Sequence, residues 1–147
     1  MDMSPPVLFF GGLVAVTVLA WIAYRSLRHQ RKAALRKLAG DRAMQYSQRD
    51  LFSLVNRVGA AFPVPGAADL RVIDLIYATR AGRHLYVFTA QYTRGVSQRQ
   101  WREEMVLGFC EPAAADGRPP TPLTPAREGL TVLEGYQELL RRWADEA

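Results

Sequence analysis

The chain has 147 residues, 49% of them hydrophobic, and a formal net charge of +5 at neutral pH. That charge is unevenly placed: residues 1–24 hold one acid (Asp2), residues 25–49 hold eight Arg/Lys against one acid, and residues 50–147 hold eleven basic against twelve acidic side chains. The near-neutral C-terminal part argues against a nucleic-acid-binding domain, and the length beyond the apolar N-terminal run leaves room for one small domain and not two.

Residues 1–6 carry only Asp2 and end in Pro5-Pro6, and the run Val7 to Tyr24 has no charged residue. Its 18 residues would span about 27 Å as a helix, close to a hydrocarbon core of roughly 30 Å. Residues 7–24 therefore read as a transmembrane helix. A cleaved signal peptide fits less well, because its positive charge would precede the apolar run, and here the charge follows it. The basic residues Arg25, Arg28, Arg31, Lys32, Arg36 and Lys37 crowd the far side, which by the positive-inside rule puts the short N-terminus outside and the remainder in the cytoplasm. The expected location is the inner, cytoplasmic membrane, with the soluble domain in the cytoplasm.

Trp21 and Tyr24 stand where an interfacial aromatic belt would lie. Together with Arg25, Arg28, Arg31, Lys32, Arg36 and Lys37 they are the candidate contacts to membrane and anionic lipid, although the cations also suffice merely to set topology. Gly11, Gly12 and Ala15 bring small residues together with small-xxx-small spacing, a candidate surface for helix packing in the membrane. Residues 25–40 continue as a basic juxtamembrane helix, with Gly40-Asp41 as its stop.

Residues 41–110 form the expected cytoplasmic α+β domain. Leu51, Leu54, Val55 and Val58 suit a short helix over Asp50 to Val58, ended by Pro63, Pro65 and Gly66. Arg71 to Thr79 and His84 to Thr93 are rich in β-branched and aromatic residues around Arg80-Ala81-Gly82-Arg83. With Ala81 and Gly82 as the two loop residues, Thr79 faces His84, Tyr77 faces Tyr86, Leu75 faces Phe88 and Ile73 faces Ala90. These pairs gather one apolar face, while the other pairs Asp74 with Thr89 and Val72 with Gln91. A third strand from about Arg99 to Phe109 alternates Trp101, Met105, Leu107 and Phe109 with Arg102, Glu104 and Gly108, giving an antiparallel meander of at least three strands. Tyr77, Tyr86, Phe88 and Trp101 are the candidate apolar ligand or core face.

Residues 111–124 form a proline-rich linker. Residues 125–147 read as an amphipathic C-terminal helix with Thr124 as a possible N-cap and Leu130, Leu133, Tyr136, Leu140 and Trp143 on one face. A short strand over Leu130 to Leu133 followed by a helix from Tyr136 fits as well. Gly129 and Gly135 weaken the continuous helix.

No catalytic constellation emerges. His29, His84 and Cys110 have no metal-ligand spacing, so no metal, cofactor or catalytic residue is assigned. The sequence holds no phosphate-cradling glycine loop and no nucleophile elbow. Glu103 and Glu104 are neighbours on a strand and point to opposite faces. Asp74, amid an apolar strand, is the polar residue whose burial matters, with Thr89 or solvent as its expected partner. The lone cysteine suits a reducing compartment.

The segment Leu35 to Cys110 resembles a pattern of membrane-anchored bacterial proteins. In these a helix leads to Tyr-Ser-x-x-Asp (Tyr46, Ser47, Asp50), then a Phe-Pro turn (Phe62, Pro63), then a strand pair ending in an aromatic-x-Tyr-Thr stretch (Phe88, Tyr92, Thr93). The resemblance implies a small cytoplasmic α+β domain beside a single-pass anchor, and no catalytic residues. The loop after Thr93 is less glycine-rich than that pattern, and the linker and C-terminal helix fall outside it. The expectation from the whole chain is a non-catalytic protein that binds a partner as an accessory, assembly or scaffold subunit of a membrane complex. The alternative is a membrane-proximal sensor or carrier of a lipid or small apolar ligand.

Overall fold

The computed structural model describes residues 5–95, 99–113 and 122–145, with side chains for all of these except 5–8 and 145. Residues 1–4 of the expected external N-terminus and 114–121 of the expected linker lie outside the described residues. The chain divides into two units, Met1–Ala34 and Leu35–Ala147.

Helix α1 runs from Pro5 to Asp41, as one helix through the apolar run and the basic segment behind it. Within the first unit its side chains from Phe9 to Gln30 are all exposed. The helix does not stop at Gly40-Asp41 by glycine alone. Ala43 takes a left-handed φ of 51°, while Met44 N–H bonds to Ala39 C=O at 2.8 Å and Ala43 N–H to Gly40 C=O at 3.0 Å. This is a Schellman-type end with alanine in the position glycine usually fills.

The second unit is built on a five-stranded antiparallel sheet in the order β1-β2-β3-β4-β5, with β1 Gln45–Arg49, β2 Ala68–Arg80, β3 Arg83–Arg94, β4 Trp101–Pro112 and β5 Thr124–Pro125. An α+β fold with a meander is therefore present, with two short edge strands that periodicity did not reveal. The two-residue turn is where the sequence placed it. Ala81 and Gly82 both have positive φ (47° and 73°), as a type I′ hairpin turn requires, and Thr79 pairs with His84 and Tyr77 with Tyr86.

Farther from the turn the expected register fails. Ile76 pairs with Val87 but Ile73 with Thr89 and Val72 with Ala90, so one extra residue is inserted in β2 between them. Asp74 sits in this bulge with φ 54°, and a second shift nearer the start of β2 contains Asp69 with φ 50°. Aspartate tolerates the left-handed region better than most residues, so both bulges fall at residues suited to them. As a consequence Val72, and not Ile73, joins Leu75, Tyr86, Phe88 and Ala90 on one face. Asp74 does not face solvent. It is 5% exposed, and its carboxylate accepts a hydrogen bond from the Tyr46 hydroxyl.

Both faces of the sheet are covered. On one, helix α2 (Leu54–Val58) buries Leu54 and Val58 against Val72, Leu75, Phe88, Leu107 and Phe109. The helix is shorter than expected. Asp50 lies before it and accepts the Val55 N–H at 2.9 Å and the Phe52 N–H at 3.1 Å, so its carboxylate closes the helix start instead of belonging to it.

On the other face α3 (Val132–Asp145) packs Tyr136, Leu139 and Leu140 against Ile76, Val87 and Val106, with Leu35, Ala39 and Met44 completing the cluster. It begins at Val132, not at Pro125. Thr131 and Glu134 form a capping box in which Thr131 N–H bonds to Glu134 Oε2 at 2.8 Å and Glu134 N–H to Thr131 Oγ1 at 3.4 Å. Thr124 and Pro125 pair with Gly108 and Leu107 as β5, and Glu111 and Pro112 belong to β4 instead of a linker. At Gly135 the helix backbone comes close to β4. A methyl group there would lie 3.1 Å from Ala126 Cβ and 3.2 Å from Val106 Cβ, which explains a glycine inside a helix.

Candidate functional site

The sequence-chosen residues separate into three places. In the first unit, Trp21, Tyr24, Arg25, Arg28, His29 and Lys32 line one groove along α1, with the Arg25 guanidinium 5.3 Å from the Trp21 ring centre. These positions recur every three or four residues, so they share one stripe of the helix. Gly11, Gly12 and Ala15 are exposed, and a methyl group on either glycine would meet nothing within 4 Å. Arg36, by contrast, belongs to the second unit, where its guanidinium lies 5.6 Å over the Tyr46 ring. Lys37 is exposed.

The aromatic face is the second place. Tyr86 and Phe88 are buried and Tyr77 packs at the edge of their cluster. They are covered by α2 and by Phe52, whose ring meets Tyr77 at 5.0 Å and Tyr86 at 5.3 Å edge-on, and not by the C-terminal helix, which packs on the opposite face. Trp101 is not part of the group. It is 50% exposed, and its indole N–H donates to Glu103 Oε1 at 2.6 Å.

Beside these rings Arg57 and Glu111 form a short ion pair, both side chains largely buried, and the Arg57 guanidinium lies 5.6 Å from the Phe109 ring centre. Burial, and next the Glu111 charge, push the Tyr86 hydroxyl above its ordinary pKa. The tyrosine is thus held neutral, and the pair ties α2 to β4. The arrangement reads as core reinforcement.

The third place was not foreseen. On the α3 side of the sheet a cavity of about 170 Å³ opens where three elements meet: the end of α1, the β2–β3 turn and the C-terminal end of α3. Its apolar walls are Met44, Leu85, Leu140 and Trp143, with Cys110 beside them. The Trp143 ring lies against Gly108, and a methyl group on that glycine would overlap it, so a residue without a side chain is what lets the indole reach the sheet.

Three arginines, Arg42, Arg80 and Arg83, also line this cavity. Arg42 donates to Leu140 C=O at 3.1 Å, and Arg80 donates to Arg42 C=O in a short contact. Both partners are neutral carbonyls. Arg80 and Arg83 flank the turn in sequence, so their proximity was readable. Arg42 joins them only through the pairing of β1 with β2.

Among the described residues no group of three or more His, Cys, Asp or Glu is placed to hold a metal. Compared with known proteins, the chain matches no family model, no curated protein and no solved structure, so the resemblance over Leu35 to Cys110 gains no support and the site is read from its own residues.

Proposed function

We infer that the chain is a single-pass inner-membrane protein of a bacterium, anchored by the apolar half of α1 with its N-terminus outside. Residues 35–147 then form a cytoplasmic domain that acts by binding, as an accessory, assembly or scaffold subunit of a membrane complex. One observation carries this reading: the helix from Phe9 is long and apolar enough to cross a membrane, and none of its most apolar window is buried by the rest of the chain. Phe9, Phe10, Leu13, Val16 and Leu19 are each more than half exposed. A continuous apolar patch of that kind requires a lipid or protein environment. The cations that follow it favour the inward side and the anionic inner leaflet. Tight packing of the aromatic face supports a binding domain whose contacts are made at its surface.

Alkaline carbonate extraction of membranes from cells expressing the tagged chain tests the anchor, and the expected result is retention in the pellet. Orientation is read from Cys110, the single cysteine. A membrane-impermeant maleimide should leave it unlabelled in intact spheroplasts and label it after lysis. Release by carbonate, or labelling in intact spheroplasts, would sink the reading. Photocrosslinking from exposed Leu51, two residues past edge strand β1, then asks for the partner. Recovery of the chain solely as a free monomer under mild solubilisation would remove the complex from the proposal.

A further inference from the structure

We propose that the cavity between the β2–β3 turn and the C-terminal end of α3 is a binding site for a small apolar carboxylate, whose head is held by Arg80, Arg83 and Arg42 and whose body enters beside Leu85 and Trp143. This goes beyond the anchor and stands or falls independently of it. Size is the first argument. At about 170 Å³ the space is close to the roughly 150 Å³ that admits benzene, so it takes an apolar body of about six carbons.

Charge is the second argument. Three arginines line one small cavity, and no carboxylate-bearing residue stands among its described lining residues. Like charges around one cavity repel one another, and an anion relieves that repulsion. Attraction of cations to the carbonyl end of α3 explains Arg42, which bonds to Leu140 C=O. It does not explain Arg83, whose side chain has no hydrogen-bonding or ionic partner among the described residues. A planar carboxylate matches the guanidinium fork, and an arginine with one donor engaged retains four more.

The third argument is that the walls and the charges are contiguous. Leu85 follows Arg83 by two residues on β3, and Cys110 is the cross-strand partner of Leu85. A ligand with an anionic head and an apolar body satisfies both parts at once.

The site contains its own reporter, since Cys110 lines it and is the sole cysteine. The full chain in nanodiscs of zwitterionic lipid is alkylated with N-ethylmaleimide while benzoate is titrated, with benzyl alcohol and benzylamine as neutral and cationic matches in size. Benzoate should slow alkylation saturably, at least fivefold at millimolar concentration, and the amine should not. Substituting R80Q and R83Q together should abolish the benzoate protection in a chain that still melts cooperatively. L85W, which fills the space, should remove protection with the arginines intact. Equal protection by benzoate and benzyl alcohol, or none in the folded wild-type chain, overturns the proposal. So does protection by anionic lipid in the nanodisc without added benzoate, because the occupant would then be the membrane.

Discussion

The Tyr46 hydroxyl donates a 2.7 Å hydrogen bond to Oδ1 of Asp74, joining edge strand β1 to the residue at which β2 bulges. The same bulge receives α3, because the Tyr136 hydroxyl donates to the Asp74 carbonyl and lies 3.0 Å from the Thr89 hydroxyl. With the Tyr136 proton engaged there, Thr89 is the donor of that second bond. One left-handed residue therefore ties an edge strand and a helix to the middle of the sheet. Asp74→Ala removes the acceptor and places alanine at φ 54°, so it should destabilise the domain by about 2–3 kcal/mol. Asp74→Asn retains an acceptor and tolerates the backbone, and should cost about 1 kcal/mol or less. Chemical denaturation of the two variants side by side checks the ordering, and equal losses would remove the bulge from the explanation.

The Arg57–Glu111 pair has side chains only 15% and 11% exposed, with the guanidinium beside Phe109. Removing one partner strands the other charge in a largely dry site. Arg57→Leu should cost about 2 kcal/mol, somewhat below the ~3–5 kcal/mol of a fully buried pair. Replacing both residues by leucine should restore stability to within about 1 kcal/mol of the native chain. A double-mutant cycle in denaturant measures this directly. If the double variant is no more stable than Arg57→Leu, the pair is not what holds α2 to β4.

Helix α3 begins at a side-chain cap and not at the proline that precedes it. Thr131→Ala should lose about 1 kcal/mol, or roughly 5 °C in melting temperature for a domain of this size, while Thr131→Ser should lose little. Thermal melts followed by circular dichroism separate the two. A similar loss at Thr124→Ala would return the helix start to Pro125.

Ala81 occupies the first central position of a type I′ turn with φ 47°, a conformation that costs most L-residues about 1–2 kcal/mol. Ala81→Asn should therefore raise the melting temperature by several degrees, as should Ala81→Gly. No gain with either would show that the turn is not strained.

These positions also mark what the sequence discloses and what it conceals. Ala81-Gly82 between two β-rich runs announces a hairpin, and the register follows outward from it as far as Ile76. It then fails, because a bulge inserts one residue without altering composition, and alternation carries no mark of where the count slips. The Thr131-x-x-Glu134 box was legible but lay seven residues beyond a more conspicuous Thr124-Pro125. Strand β1, with sequence QYSQR, has too little apolar alternation to be seen alone and exists because β2 offers it an edge. The three arginines of the cavity are 38 and 3 residues apart in the chain, so only the turn-flanking pair was within reach of a local reading. Trp101 continues the apolar alternation of β4 but lies at the strand's end, where its ring is half exposed.

The Tyr92 hydroxyl donates to Glu103 Oε2 at 2.7 Å, and Glu103 accepts the Trp101 indole N–H as well. Burial first, and then this bond, push Tyr92 from an ordinary pKa of 10.0 up to about 12. The bonds from Trp101 and Tyr92 hold Glu103 below its ordinary 4.5. The signs agree, since the bond favours ionised Glu103 and neutral Tyr92. The glutamate's contribution is complete above pH 4.5 and is lost as the pH falls through its lowered value; the tyrosine's is complete below pH 10 and is lost as the pH rises through about 12. An alkaline absorbance titration should therefore show one tyrosine ionising near pH 12 that is missing in Tyr92→Phe. Tyr86 is also raised, so the readout is the difference between the two curves. Glu103→Gln should lower the Tyr92 midpoint only in part, because burial is the larger cause and persists. A difference curve centred near pH 10 would mean that Tyr92 is neither buried nor bonded as described.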